Sequence, residues 1–261
     1  MNIISSKDNE IIKNIRKLKE KKYRDIENSY IIEGIKLIKE AIEEKAIIKQ
    51  IVICEEFSDS EIDKETMFEL ARHNLVYVTK SVFNIITDVK TPQGIIAVLE
   101  KKKNEDANYK EDIIIALDDI QDPGNLGTIL RTIDSANLKQ IIVSKNTVDV
   151  YNPKVVRSTM GAIFRINVVE AENLKDELEN AKKHGYKVMV TSLDSKKNIY
   201  NVDYNKKVIV IGNEAKGVSK EIKEIADEKV IIPMLGKTES LNASVATSIM
   251  VYEYVRRKIS K

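Results

Sequence analysis

Three short stretches gather small, amide, carboxylate and guanidinium residues in a pattern that points to a bound ligand. The first runs Asp122-Pro123-Gly124-Asn125-Leu126-Gly127-Thr128-Ile129-Leu130-Arg131. The second is Gly212-Asn213-Glu214-Ala215-Lys216-Gly217, after the run Val208 to Ile211. The third runs from Ile231-Ile232-Pro233-Met234 through Ser240-Leu241-Asn242-Ala243-Ser244. The second and third are β-branched runs that stop in loops of small and polar residues, and the first has the same build. Little side chain stands between such a loop and a ligand, so main-chain N–H and C=O groups approach it closely. Other chemistries have little material here. The single cysteine, Cys54, ends the apolar run Ile51-Val52-Ile53 and reads as a buried structural thiol. His73 and His184 lie far apart with no Cys, His or Asp at ligand spacing, so no metal site is expected.

In order and spacing these stretches resemble the three signature motifs of the SpoU (TrmH-like) RNA ribose 2′-O-methyltransferases, within the SPOUT superfamily. Asn125, Gly127 and Arg131 match an Asn-x-Gly-x-x-x-Arg motif. Gly212, Glu214 and Gly217 match Gly-x-Glu-x-x-Gly. Ile232, Pro233, Met234, Ser240, Leu241, Asn242, Ser244 and Ala246 match the Ile-Pro-Met and Ser-Leu-Asn-x-Ser-x-Ala motif. One Gly-rich loop is weak evidence; three in order are specific. The resemblance covers the chain from about Ile113 onward.

It implies S-adenosylmethionine as cofactor, held by the backbone of the second and third loops. Gly212, Ile232 and Leu241 would line the pocket, with Thr191, Asn213, Gly217, Met234, Ser240 and Asn242 around it. Taken singly, the glycines read as strand-end turns, Ile232 and Leu241 as core residues, and Asn242 and Ser244 as caps of the terminal helix. The catalytic set it implies is Arg131, Asn125, Glu214 and Asn242. Glu214 would sit near the sulfonium cation and could also hold Arg131. The family's arginine is often described as a general base. A guanidinium has no spare acceptor and stays protonated, so Arg131 is read as orienting the nucleotide and stabilising a developing alkoxide.

Those residues need a frame. The chain of 261 residues has 43% hydrophobic and 32% charged residues, a globular balance. Its net charge is only +2, so any nucleic-acid footprint must be local. One local cluster exists: Lys13, Arg16, Lys17, Lys19, Lys21, Lys22 and Arg24, with Glu20 as the acid among them. A solvated helix face is the usual explanation of such a run; phosphate contact is favoured modestly here. Tyr23 and Tyr30 are the nearby aromatics for base stacking, with core use at least equal to it. No run is long enough for a membrane span and the start lacks a signal-peptide region, so a cytoplasmic protein is expected.

The polar stretch Lys101 to Asp112 reads as an exposed linker. It divides the chain into an N-terminal domain, residues 1–103, a linker, 104–112, and a C-terminal domain, 113–261. The N-terminal pattern predicts helices over 10–24, 34–45, 60–73 and from an N-cap at Ser81 to about Asp88. Strands are expected at 30–32, 50–54, 75–78 and 94–99. Ile31-Ile32-Glu33-Gly34 and Thr91-Pro92-Gln93-Gly94 resemble signatures of an L30e/L7Ae-like α/β/α substrate-binding domain, which implies RNA recognition there. C-terminal strands are expected at 113–117, 140–143, 165–169, 186–191, 207–211 and 229–232, with a last helix over about 242–258. Such alternation implies a mostly parallel sheet covered on both faces. The general rule predicts an unknotted sheet; the resemblance implies a SPOUT domain with a trefoil knot.

The resulting expectation is an RNA 2′-O-methyltransferase of α/β class, acting on rRNA ahead of tRNA. A homodimer through the C-terminal domain is implied by the resemblance, and Val245, Ile249, Tyr252 and Val255 offer a stripe on the last helix. A non-catalytic RNA-binding protein of the same fold stays as the alternative. A dinucleotide enzyme is disfavoured because no Gly-x-Gly-x-x-Gly opens a first strand-helix junction.

Overall fold

The computed structural model describes residues 3–57, 62–103 and 105–260. By internal contacts the chain forms two units. One comprises 1–103 together with 149–164, the other 104–148 together with 165–261. The chain therefore crosses between them three times, at 103/104, 148/149 and 164/165.

In chain order the first unit contains β1 (Ile3–Ile4), α1 (Glu10–Lys17), α2 (Lys21–Ile26), β2 (Ser29–Glu33), α3 (Ile35–Glu43), β3 (Ile48–Cys54), α4 (Lys64–Ala71), β4 (Leu75–Val78), α5 (Lys80–Ile86) and β5 (Ile95–Glu100). The strands form one mixed sheet in the order β1-β4-β3-β5-β2, with β5 antiparallel to both neighbours. Ile12, Ile15 and Leu18 pack with Val52, Val82, Phe83 and Ile96 in its core. Gly34 adopts φ +99, and the Gln93 side chain accepts from the N–H of Ile35 at 3.1 Å. The two short signatures thus meet at the start of α3.

Three local expectations change. The helix expected over 10–24 is two helices, because α1 ends at its cap Leu18 and Glu20 is extended. The freed carbonyls of Leu18 and Lys19 accept from the Arg24 guanidinium, each at 2.8 Å. The N-cap of α5 is Thr79, not Ser81; its hydroxyl accepts from the N–H of Val82. Asp63 caps α4. Ser60 and Glu61, at the start of the helix expected there, lie outside the described residues.

The second unit begins with β6 (Ile113–Asp118), α6 (Pro123–Ser135) and β7 (Gln140–Ser144). The segment 149–164 follows, carrying α7 (Pro153–Ser158) and most of α8 (Ala162–Arg165). The chain then forms β8 (Asn167–Ala171), α9 (Leu174–Lys183), β9 (Lys187–Thr191), a short 3-10 turn (Ile199–Asn201), β10 (Lys207–Gly212), α10 (Lys220–Ile225), β11 (Glu228–Val230) and α11 (Ala243–Ile259). All six strands are parallel, in the order β11-β9-β10-β6-β7-β8. β6 and β10 are buried from end to end, as expected of apolar runs covered on both faces.

Two boundaries differ in a way that matters. The stretch expected as a free linker is laid down on the second unit over its described residues 105–112; Asn104 lies outside them. Glu105 exchanges hydrogen bonds with the Asn167 side chain. Tyr109 stacks on His184 at 4.1 Å and donates to Glu177 at 2.5 Å. The polar composition looks like linker because its backbone, not its side chains, makes many of the attachments. Conversely, 149–164 packs with the first unit: α7 lies against β2, the Tyr151 ring contacts Tyr30 at 4.6 Å, and Arg24 Nε donates to Asp149 at 2.9 Å. Arg24 is 2% exposed.

Candidate active site

The site forms where four parallel strands, β6, β9, β10 and β11, end. Asp118 closes β6, and its carboxylate accepts from the N–H of Ser219 at 2.7 Å, anchoring the loop after β10. Asp122 then caps α6 by accepting from the N–H of Asn125 at 2.8 Å, with Pro123 in the first turn. Beyond β10, Asn213 and Gly217 close a tight turn through two main-chain hydrogen bonds. The Asn213 side chain accepts from the N–H groups of Ala215 and Lys216 and donates to the carbonyl of Asp119 at 2.8 Å.

Gly212 is required by close approach. A Cβ there would meet the nitrogen of Val218 at 2.0 Å and the carbonyl carbon of Gly217 at 2.1 Å. Both are backbone atoms, so the turn itself would have to move.

One polar relay joins the three motifs. Glu214 accepts from the main-chain N–H groups of Gln121 and Asp122, each at 3.2 Å, and from Asn125 Nδ2 at 2.9 Å. Asn125 Oδ1 accepts from Asn242 Nδ2 at 2.9 Å. Asn242 Oδ1 caps α11, accepting from Ser244 N at 2.9 Å, Ser244 Oγ at 2.7 Å and Val245 N at 3.3 Å. Both amides are thereby oriented: the NH2 of Asn125 faces the second motif and that of Asn242 the first, while both oxygens face the third. Glu214 is exposed as a residue, yet partial desolvation of its carboxylate pushes its pKa up. Hydrogen bonds from Asn125 and from main-chain N–H groups outweigh that and hold it below the ordinary carboxylate value. It is an anion at neutral pH.

Beside the relay lies a cavity of about 430 Å³, within the range of small-molecule clefts. Its walls are the ends of β9 (Thr191 to Asp194), β10 (Ile211 to Val218) and β11 (Val230 to Ile232), together with Met234, Glu239 to Leu241, Ala243, Ala246 and Lys223. Of the expected pocket residues, Thr191, Gly212, Asn213, Gly217, Ile232, Met234, Ser240 and Leu241 line it. Asn242 does not; it braces the wall from the relay. Glu214 faces both cavity and relay.

Other expectations are redistributed. Arg131 lies six residues beyond Asn125 on α6, roughly 9 Å along the axis; it is exposed and outside the cavity lining. Glu214 does not hold it, because the Glu214 oxygens are taken by Gln121, Asp122 and Asn125. Arg24 is corrected from a phosphate contact to a buried ion-pair residue. Lys19 is also committed, donating to Asp88 at 2.8 Å and to the carbonyls of Ile85 and Thr87. Lys13 pairs with Glu10. Arg16, Lys17, Lys21 and Lys22 remain exposed. Tyr30 is core.

Sequence reasoning missed Asp118, Asp122, Asp194, Lys223 and Glu239. The Asp122-Pro123 pair was a readable helix start. For the other four nothing in the local sequence marks a role, and only the packing of the loops brings them to the cavity or its anchor.

The Gly212 geometry gives a first prediction. Gly212→Ala displaces the 213–218 turn, so S-adenosylmethionine affinity should fall at least about tenfold and stability by roughly 1–3 kcal/mol. Calorimetry and thermal melting check it; unchanged affinity would remove this turn from the pocket.

Comparison with known proteins adds a second line of observation. The SpoU rRNA Methylase family model matches residues 112–252, and the MRM3-like substrate binding domain matches residues 9–97. The 23S rRNA (guanosine(2553)-2′-O)-methyltransferase RlmP of Bacillus subtilis is 33% identical over 253 residues, covering 97% of this chain and 98% of that protein. The mitochondrial rRNA methyltransferase 3 of Xenopus tropicalis is 26% identical over 317 residues, covering 96% and 75%. The AdoMet-bound rRNA methyltransferase from Sinorhizobium meliloti superposes with a TM-score of 0.87 at 32% identity, covering 98% of each chain. On the strength of the three motifs, the relay that joins them and these matches along nearly its whole length, the chain belongs to the SpoU rRNA methylase family, with an MRM3-like substrate-binding domain ahead of the methylase domain.

Proposed function

We infer that this chain is an S-adenosylmethionine-dependent methyltransferase acting on the ribose 2′-hydroxyl of a nucleotide in structured RNA, with rRNA favoured over tRNA. The observation that carries this is the Glu214–Asn125–Asn242 relay beside the cavity. The relative in Bacillus subtilis is named for 2′-O-methylation of 23S rRNA, which supports the choice of rRNA.

The residues present fit the cofactor. A bare Gly212 backbone, apolar walls from Ile211, Val218, Val230 and Leu241, and the carboxylates Asp194, Glu214 and Glu239 suit an adenosine joined to a sulfonium and an ammonium group. When bound, S-adenosylmethionine supplies a methyl group on a positively charged sulfur. Glu214, anionic and fixed by three donors, contributes negative potential at the cavity wall. It is a poor proton acceptor because its oxygens are committed and its pKa is depressed. Asn125 and Asn242 keep the three loops in register. Arg131 orients the RNA phosphate and stabilises charge developing on the 2′-oxygen, and the proton leaves to solvent. Catalysis is then alignment plus electrostatics.

The test is incubation with labelled S-adenosylmethionine and an in vitro transcript of bacterial 23S rRNA, followed by nucleoside mass spectrometry. A 2′-O-methylated nucleotide is expected. Methylation of tRNA alone would select the tRNA alternative, and binding of RNA without transfer would select the non-catalytic one.

The C-terminal domain is threaded as a trefoil knot, supported by the 231–242 segment that carries the chain from β11, at the sheet edge, to α11 on α6 and β10. An experimental chain trace without threading would reject it. The protein works in the cytoplasm, a reading supported by its likeness to the Bacillus subtilis 23S rRNA methyltransferase; no helix among the described residues is long and apolar enough to cross a membrane. Cell fractionation checks this. It is a homodimer through α11. Val245 is 46% exposed and Tyr252 49%, with Ile249 and Val255 partly exposed, so the stripe is not used up inside its own domain. Sedimentation at micromolar concentration should give twice the chain mass, and Val245→Asp with Tyr252→Asp should give the monomer; a fully active parental monomer would reject the dimer.

A further inference from the structure

The chain has eight arginines. Five are spent on internal ion pairs: Arg24, Arg72, Arg165, Arg256 and Arg257. Among the described residues, the side chains of Arg16, Arg131 and Arg157 make no hydrogen bond or ion pair. Arg16 belongs to the exposed basic cluster and Arg131 to the first motif. Arg157 belongs to neither.

Its setting is unusual for an unpaired cation. Arg157 is half-buried in the last turn of α7, not a free surface side chain. A guanidinium carries five donors, and leaving them without acceptors grows costlier as water is excluded. Glu40, whose carboxylate packs over Gly161 only four residues away, does not pair with it. The helix beneath is rigidly seated. Val155 and Val156 are buried, Tyr151 lies on Tyr30, Asp149 is locked to Arg24, and Met160 and Gly161 close the turn with φ 49 and φ 88. On the same helix Lys154 is exposed and its ammonium has no partner among the described residues. The Arg24–Asp149 pair ties this segment to α2, which carries Lys21 and Lys22.

We propose that Arg157, with Lys154 beside it, is an RNA-phosphate contact of the substrate-binding unit, supplied by a segment that belongs in sequence to the methylase domain. A planar, charged fork held on a packed helix suits bidentate phosphate recognition. Asp149, paired with Arg24, adds little repulsion. The proposal rests on the RNA-methyltransferase reading. It makes Arg157 a binding residue, distinct from the catalytic Arg131, because it holds RNA and does not act on the 2′-oxygen.

The test uses the full chain and the 23S rRNA transcript. Arg157→Ala should weaken RNA affinity about tenfold and flatten the dependence of log affinity on log salt by about one. KM for RNA should rise with kcat near the parental value, while S-adenosylmethionine affinity and melting temperature stay unchanged. Arg157→Lys should restore the salt slope but only part of the affinity. Arg157→Met, which keeps the unbranched apolar stem without the charge, replaces the alanine variant if that one melts early. Parental affinity and slope in either neutral variant would overturn the proposal, as would an affinity loss with an unchanged slope, which marks a structural role. If the parent neither binds nor methylates the transcript, the functional reading itself fails.

Discussion

Arg131→Ala is expected to lower methyl transfer by roughly 10²–10³ while S-adenosylmethionine affinity stays within about twofold. The separation follows from position. Arg131 is on α6, outside the cavity lining, whereas the walls come from the ends of β9, β10 and β11 and the 231–242 segment. Its guanidinium has no internal partner among the described residues, so its removal leaves no buried carboxylate orphaned and should hardly change the melting temperature. Arg131→Lys should remain at least about tenfold below the parent, because an ammonium cannot reproduce the planar fork. Single-turnover rates at saturating cofactor, beside calorimetric cofactor titration, make the measurement. A lysine variant with near-parental turnover would reject the role given to Arg131. An alanine variant that loses the cofactor as well would place Arg131 in the pocket.

What could be read from the residues depended on how local the cause was. Gly212 and Asn242 belong to segments whose backbone geometry is decided within a few residues: Gly212 sits at a tight turn on the cavity wall, and Asn242 caps the last helix, as its place before that helix suggests, but lies outside the cavity lining. The parallel sheet was equally legible, since runs such as Ile113 to Leu117 are short, rich in β-branched residues and apolar throughout, as suits a strand covered on both faces. Arg24 was not legible. In sequence it is one more cation in a basic run, and its burial depends on Asp149, 125 positions away. Tyr109 failed for the same reason: it sits in a polar stretch, but His184 and Glu177 receive it across 75 and 68 residues. The relay lies between these cases. Its residues were named individually, and the hydrogen bonds that make them one unit appear only when three loops meet.

The three crossings of the chain bear on what holds the substrate-binding unit together. Cutting near Lys103 looks, from composition, like the way to separate two domains. Yet the N-terminal unit includes 149–164, and Arg24 is the buried centre of that attachment. Its Nε and Nη2 donate to Asp149 Oδ2, and Nη1 donates to the carbonyls of Leu18 and Lys19 at the α1–α2 break. Arg24→Met leaves the Asp149 charge and two carbonyls without their donor, a loss expected to cost about 3–5 kcal/mol. The melting temperature of the full chain should fall by roughly 10 °C. Arg24→Met combined with Asp149→Leu removes both charges together, and its destabilisation should be clearly smaller than the sum of the single changes. A fragment of residues 104–261 carries Tyr151, Val155 and Val156 without the β2 surface that buries them. It should aggregate or melt below the full chain, and an equimolar 1–103 fragment should relieve this by binding it. Two fragments that fold independently and ignore each other, or an Arg24→Met protein that melts with the parent, would mean that the segment is merely draped on the first unit and does not hold it together.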